Sequence, residues 1–307
     1  MKPNIVVVGS ANTDFVVHVP QLPARGETVL GGQFQTAGGG KGANQAVAAA
    51  RLGGEVTFIA RLGNDNLGRE ALLAYRDEGL HTEFVRLDEE QASGVALILV
   101  DENGENLIAV APGANGRLSS EDVLAAENAI RQADCLLLQM EIPLETVRAA
   151  IEIAHRSQVR TILNPAPAKS VPLDFFQNID ILTPNETEAA ILAGTLPLSE
   201  SHDPLSYLAT HTHVPILIET LGGRGARILS HGEEAFLPAF QVKSIDSTAA
   251  GDAFNGALAV ALASDKTLVE AVRYANAAGA LATTRAGAQP SLPMQAELEQ
   301  FLAKARP

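Results

Sequence analysis

The sequence predicts an α/β fold: a doubly wound, mainly parallel central sheet flanked by helices, with a small β-sheet set beside it. Three observations carry this. Short apolar runs of strand length alternate with helical patterns along most of the chain, as parallel βαβ units require. Hydrophobic residues make up 46% of the chain, yet aromatic residues only 4%, and Trp is absent. The core is therefore Ala, Val, Leu and Ile, which suits helices packed closely on a parallel sheet. Two stretches, 14–36 and 93–111, break the rhythm with paired strand-like pieces and no helix between them.

Taken in order, residues 5–9 are the apolar run of a central strand. Residues 42–52 are Ala-rich and helical, closed by Gly53-Gly54. Residues 56–61 read as a strand and 67–78 as a helix ended by Gly79. Ser119-Ser120-Glu121-Asp122 resembles a capping box and opens a helix to about residue 132. Residues 135–139, 161–163, 179–182 and 215–220 are further strands, and 269–283 and 293–303 are late helices. The first irregular stretch holds strands at 15–19 and 28–34. The second holds 95–100 and 106–111, joined by a link containing Asn103-Gly104, a strong hairpin signal. Together they predict a small, mostly antiparallel sheet inserted in one domain spanning 1–307. Such a sheet either covers a ligand as a lid or extends the fold as an edge, and the pattern alone leaves both open.

The formal net charge is −14. That excludes a general binder of nucleic acid or acidic membrane, which needs basic surface. It does not exclude an anionic ligand held by a helix N-terminus and a metal. Cys135 is the sole cysteine, so neither an intrachain disulfide nor a cysteine-based zinc site can form. Its apolar surroundings make it a buried structural residue. No signal peptide or membrane-length apolar run is visible, so cytoplasmic residence is expected.

Gly38-Gly39-Gly40-Lys41-Gly42-Ala43-Asn44 is the first segment with chemical content. Its glycines let backbone approach a ligand closely. A P-loop needs Ser or Thr after Gly-Lys, and Gly42 stands there instead. Gly38, Gly40 and Ala43 satisfy the GxGxxA dinucleotide pattern, but the first strand leads into Gly9-Ser10-Ala11-Asn12 rather than a glycine turn. A tight structural turn remains the alternative. The second segment runs from Asp246 to Ala259 and places small residues before an acid at the start of an apolar helix. The amides of Ala249, Ala250, Gly251 and Asp252 are predicted to point at one spot with the helix dipole behind them, an anion hole for a phosphoryl group. Asp252 either takes a proton from an attacking hydroxyl or serves only as a helix N-cap.

Together these segments resemble the two signature regions of the PfkB carbohydrate kinase family, and the likeness extends over nearly the whole chain. It implies transfer of the γ-phosphoryl group of ATP to O5 of D-ribose, with Asp252 as base; deoxyribose, another pentose or a nucleoside are the alternative acceptors. It implies a sugar pocket formed by Asn12, Thr13 and Asp14 with Gly39, Gly40, Lys41, Gly42, Ala43, Asn44 and Glu141. Thr183-Pro184-Asn185-Glu186-Thr187-Glu188 resembles the family's NxxE motif, with Asn185 near the phosphates and Glu188 near Mg²⁺. Thr220, Leu221, Gly222, Gly223, Arg224 and Gly225 match the nucleotide loop, and Asn276 falls in the region flanking adenine. A K⁺ site is implied at Asp246, Thr248, Ala282, Arg285, Gly287 and Ser291. A small-molecule sugar and ATP are the implied partners, together with a second copy of the chain paired through the β lid.

The chain departs from the family pattern in two places. Ser247 and Thr248 replace Thr and a larger aliphatic residue, leaving the Thr248 carbonyl in place. Ala37-Gly38 replaces a bulkier residue before the glycine pair, which predicts a slightly wider sugar pocket and a less strict preference for ribose.

Overall fold

The computed structural model describes residues 2–169, 171–194 and 203–305. The chain begins with Asn4–Val8 (β1), Asn12–His18 (β2), Gln33–Gly39 (β3), Lys41–Arg51 (α1), Glu55–Gly63 (β4) and Asn66–Asp77 (α2). It continues through Val85–Asp88 (β5), Gly94–Val100 (β6), Asn106–Ala111 (β7), Ser120–Ala125 (α3), Glu127–Arg131 (α4) and Cys135–Leu138 (β8). Leu144–Arg156 (α5), Arg160–Leu163 (β9), Ile181–Leu182 (β10), Glu186–Gly194 (α6), Pro204–Thr212 (α7) and Ile216–Thr220 (β11) follow. The last elements are Gly225–Ser230 (β12), Glu233–Pro238 (β13), Ala250–Ala263 (α8), Leu268–Ala282 (α9) and Gln295–Lys304 (α10).

Among the described residues the strands form a nine-stranded sheet in the order β13-β12-β11-β10-β9-β8-β1-β4-β5 and a four-stranded sheet in the order β3-β2-β6-β7. The large sheet is parallel from β5 to β11, and β12 and β13 extend it antiparallel. Successive side chains of a strand point to opposite faces. Ile5 and Val7 of β1 therefore enter the core shared with α1, α8 and α9, while Val6 and Val8 enter the core shared with α5, α6 and α7. Cys135 is buried in β8, where burial pushes its thiol up to about 12. No helix among the described residues is long and apolar enough to cross a membrane.

The departures from expectation have local causes. The predicted strand at 28–34 lies at Gln33–Gly39, because pairing with β2 in the register Asn12↔Gly39 draws the glycines into the ladder. Leu30, inside the predicted span, is 87% exposed. The capping box at Ser119 and Asp122 is present, but the helix it opens breaks at Ala126, where φ is −101° and ψ 10°. The β12–β13 hairpin was not anticipated, since its outer strand alternates exposed and half-buried residues without an apolar run. The β6–β7 hairpin forms as predicted, and the small sheet is antiparallel except between β2 and β6.

Close contact between α1 and α8 fixes the geometry of the molecule's central cleft. A Cβ at Gly256 would lie 2.7 Å from the Ala48 Cβ, 2.9 Å from the Gln45 carbonyl oxygen and 3.0 Å from the Ala49 nitrogen. Gly256→Ala gains about 1 kcal/mol of helix propensity, but overpacking costs about 1–3 kcal/mol. Because two of the three clashes involve backbone, the substitution is expected to lower the urea midpoint; an unchanged or raised midpoint would show that the helices separate freely.

Candidate active site

The cleft opens where the strand order reverses. The chain proceeds from β1 outward to β4 and β5, then returns to β8 on the other side of β1. Ligand crevices in open α/β sheets form at such switch points, beyond the carboxyl ends of the strands. Ser10 and Asn12 follow β1, and Glu141 follows β8, so the topology alone brings them together. The Ser10 hydroxyl donates to Glu141 Oε2 at 2.5 Å, and the Lys41 backbone N–H donates to the same oxygen at 3.0 Å.

Asp252 sits in the first turn of α8, and the N-cap position belongs to Ala249, whose φ is 59°. The N-cap alternative for Asp252 is thereby corrected. Its carboxylate is 6% exposed and accepts hydrogen bonds from Asn44 Nδ2 at 2.9 Å and Gln45 Nε2 at 3.0 Å. Burial raises its pKa; Lys41, Asn44 and Gln45 oppose this, and Glu141 adds to it. One amide of the expected anion hole is corrected as well: Ala250 N–H donates to the Ser247 carbonyl at 3.2 Å. Gly251 and Asp252 lie in the helix's opening turn, where amides have no intrahelical acceptor.

Asn12 and Asp14 share one face of β2, and Thr13 points to the other, so Thr13 is not gathered with them. Asp14 is 8% exposed, and its pKa is raised to about 6 by burial, then by Glu141 and Asp252. A Cβ at Gly39 would lie 2.2 Å from Asp14 Oδ1, so only glycine leaves room for that carboxylate. Gly40, Gly42 and Ala43 bring the chain into α1, with Ala43 N–H donating to the Ser10 carbonyl at 2.8 Å. Burial works against the charge of Lys41, but Asp252, Glu141 and Glu188 outweigh it and hold its pKa above the ordinary value. Asn44 Oδ1 is buried with no hydrogen-bond partner among the described residues. The two residues of the Ala37-Gly38 departure lie on opposite faces of β3, and Ala37 is the one paired with Asp14. Gly38 faces away from Asp14, and a Cβ there would lie 2.3 Å from Gln289 Oε1, so the vacated space belongs to Gln289.

A cavity of about 320 Å³ adjoins this cluster and is lined by Thr220, Gly222, Gly223, Gly225, Gly251 and Asn276, among others. Leu221 and Arg224 do not line it; Arg224 pairs with Glu186 instead. Asn276 is 8% exposed, and its Nδ2 donates to the Leu237 carbonyl at 3.3 Å. Asn185 and Glu188 cap α6 reciprocally, each side chain accepting the other's N–H at 2.8 and 2.9 Å. Burial raises the pKa of Glu188, with the Asn185 N–H and Lys41 opposing and Asp252 adding. Asn185 also bridges to Thr220, joining this turn to the cavity wall.

Asp246 accepts from the Thr248 N–H at 2.8 Å, the Thr248 hydroxyl at 2.6 Å and the Gly287 N–H at 2.8 Å. Burial opposes its ionisation, but these bonds hold its pKa below the usual carboxylate range. The residues expected around a monovalent cation are thus tied together: Thr283 accepts from the Ile245 and Asp246 amides, Arg285 N–H reaches the Ala282 carbonyl, and the Ser291 hydroxyl donates to the Ala288 carbonyl. A carboxylate offers about four lone-pair positions, and the bonds above use three of those on Asp246. One lone-pair position on Asp246 Oδ2 is left for a further partner, and an oxygen donor of that kind suits a hard cation such as K⁺.

Sequence reasoning missed the amides behind Asp252. Gln45 is fully buried; it accepts from Gln139 Nε2 at 2.7 Å and donates to Asn164 Oδ1 at 3.2 Å as well as to Asp252. Asn164 Nδ2 in turn donates to the Thr183 carbonyl at 3.0 Å. One signal was available, since Lys41, Asn44 and Gln45 stand at i, i+3 and i+4 on one helix face. Asn115, whose Nδ2 donates to Asn12 Oδ1 at 2.7 Å, carried no such signal.

Comparison with known proteins places the chain in a family. The model of the pfkB family carbohydrate kinases matches residues 2–295. A ribokinase of Haemophilus influenzae is 42% identical over 303 residues, covering 98% of this chain and 99% of that protein. A deoxyribokinase of Salmonella typhi is 34% identical, covering 97% and 98%. The structure of Arabidopsis thaliana ribokinase complexed with ribose and ATP superposes with a TM-score of 0.87 at 33% identity, covering 98% and 99%. The chain therefore belongs to the pfkB family of carbohydrate kinases.

Proposed function

We propose that the chain transfers the γ-phosphoryl group of ATP to O5 of D-ribose. One observation carries the reading: Asp252 is held by the α1 amides on the sugar side, while its neighbour Gly251 lines the adjoining cavity. A proton acceptor and a wall of the nucleotide site are thus consecutive residues.

Asn12, Asp14, Lys41, Asn44 and Glu141 hold the sugar. Ionised carboxylates accept from paired hydroxyls, and the unpartnered Asn44 Oδ1 supplies a further acceptor. Thr220, Gly222, Gly223, Gly225 and Asn276 receive the nucleoside end of ATP, and Asn185 approaches its phosphates. As the bond from O5 to the γ-phosphorus forms, the bond from that phosphorus to the bridging oxygen breaks and ADP leaves. Asp252 takes the O5 proton. The Gly251 and Asp252 amides, with the α8 dipole, stabilise the charge on the phosphoryl oxygens. Little covalent assistance is needed, because this transition state is loose and positioning dominates.

Glu188 would hold Mg²⁺ through water, an arrangement such ions favour; the ion supplies neutralisation of phosphate charge. The oxygens around Asp246 would hold K⁺, acting on the loop that leads to Ala249 rather than on substrate. The four-stranded sheet acts as a lid over the sugar pocket. It carries exposed Phe34, Leu97, Leu107, Ile108 and Val110, a surface suited to pairing with a second copy.

Asp252→Asn is expected to lower kcat by at least about 100-fold, the scale of general-base catalysis. Ribose affinity by calorimetry should stay within a few-fold, and retained turnover would reject Asp252 as the base. Asp14 is ionised only above its raised pKa of about 6. The KM for ribose should therefore be flat at higher pH and climb as pH falls through that value, with Asp14→Asn removing the inflection. In an acceptor panel with ADP detection, ribose should give a higher kcat/KM than deoxyribose or a nucleoside. K⁺ should raise the rate, and Asp246→Ala should abolish the K⁺ effect; equal rates across acceptors would refute the ribose assignment.

A further inference from the structure

Asn115 lies in the short 3₁₀ turn Gly113–Arg117 that follows the four-stranded sheet, and it is 2% exposed. It belongs to none of the motifs above. Its Oδ1 accepts the Ala11 N–H at 2.8 Å, and its Nδ2 donates to the Ala11 carbonyl at 3.0 Å and to Asn12 Oδ1 at 2.7 Å. A backbone N–H can only donate and a backbone carbonyl can only accept. The two bonds to Ala11 therefore fix which end of the Asn115 amide is oxygen and which is nitrogen. Both hydrogens on Nδ2 are then spent, and the atom of Asn12 that meets them has to be an acceptor. Asn12 is left with its NH₂ group to present to the pocket it shares with Ser10 and Glu141.

We infer that Asn115 is a positioning residue that sets the hydrogen-bond polarity of the sugar pocket, holding Asn12 as a donor beside the acceptor carboxylate of Asp14. The inference rests on the sugar-binding role proposed for Asn12 and Asp14. A hydroxyl between the two side chains receives from Asn12 and donates to Asp14, using both of its capacities. A carbonyl oxygen cannot donate, and a hydrogen in place of the hydroxyl can do neither. The polarity runs from the Ala11 backbone through Asn115 to Asn12 and selects a hydroxyl at that point of the ligand.

Two substitutions separate this role from a merely structural one. Asn115→Asp keeps the side-chain shape and the bond from the Ala11 N–H, but the new carboxylate has nothing to donate, so the Asn12 amide turns to donate to it. Asn115→Ala loses all three bonds and leaves the Asn12 amide unconstrained. Polarity control predicts that Asn115→Asp raises the KM for ribose by about 10-fold or more, the scale of one misdirected polar contact. The kcat and the KM for ATP should change little, and Asn115→Ala should raise the KM for ribose less. A structural role predicts the reverse order, with the alanine variant worse and thermal stability falling in parallel; that order, or an unchanged KM in both folded variants, overturns the inference. On the wild-type protein, side-chain amide NMR should show slow exchange for the Asn115 NH₂ and a shift of the Asn12 NH₂ when ribose is added, and an unmoved Asn12 signal also overturns it. If the wild-type chain makes no ADP from ATP and ribose, the sugar reading itself fails and takes the inference with it.

Discussion

Buried negative charge is the constraint around which this molecule is arranged. Asp14 and Asp252 are almost fully buried, and Glu141 lies beside them. Glu141 and Asp252 make ionisation of Asp14 harder, Glu141 does the same to Asp252, and burial raises the cost at both. Lys41 answers this with its ammonium group and also with its backbone N–H, which donates to Glu141. Asn44 and Gln45 answer it at Asp252, one donor to each carboxylate oxygen. The charges gathered in the cleft are the ones that would disrupt it without α1.

The apolar core and the site are therefore the same contacts seen from two sides. α1 brings Lys41, Asn44 and Gln45 to Asp252 only because α8 approaches it closely, and Gly256 against Ala48 and Ala49 permits that approach. The small residues responsible for the low aromatic content are what allow two helices to share one cleft. Gly251, in the first turn of the same α8, then faces the second cavity, so one helix terminus serves both halves of the site.

Fold class was legible because its signals are local. Strand and helix periodicities survive in a single pass along the chain, and the Asn-Gly hairpin and the Ser119–Asp122 capping box each rest on a few adjacent residues. The β12–β13 hairpin lacked such a signal, being half exposed at the sheet's edge. The placement of β3 failed for another reason: pairing with β2 decided it against the local apolar pattern. Within the site, the candidates the sequence offered came from short contiguous runs, such as 38–44 and 246–252. Gln45, Gln139, Asn164 and Asn115 were missed because their partners lie about a hundred residues or more away.

By itself, then, the sequence determined the alternation of elements, the glycine-rich approach to a ligand and the acid near the start of a helix, since each depends on neighbours along the chain. Only the tertiary structure decided that Asp252 is buried rather than capping its helix, that Gly38 makes room for Gln289, and which way the amides of Gln45, Asn115 and Asn12 point. Those outcomes turn on donors and acceptors that meet across the fold. A hydrogen bond's direction is set by the partner at its far end, and the order of residues along the chain does not contain that information.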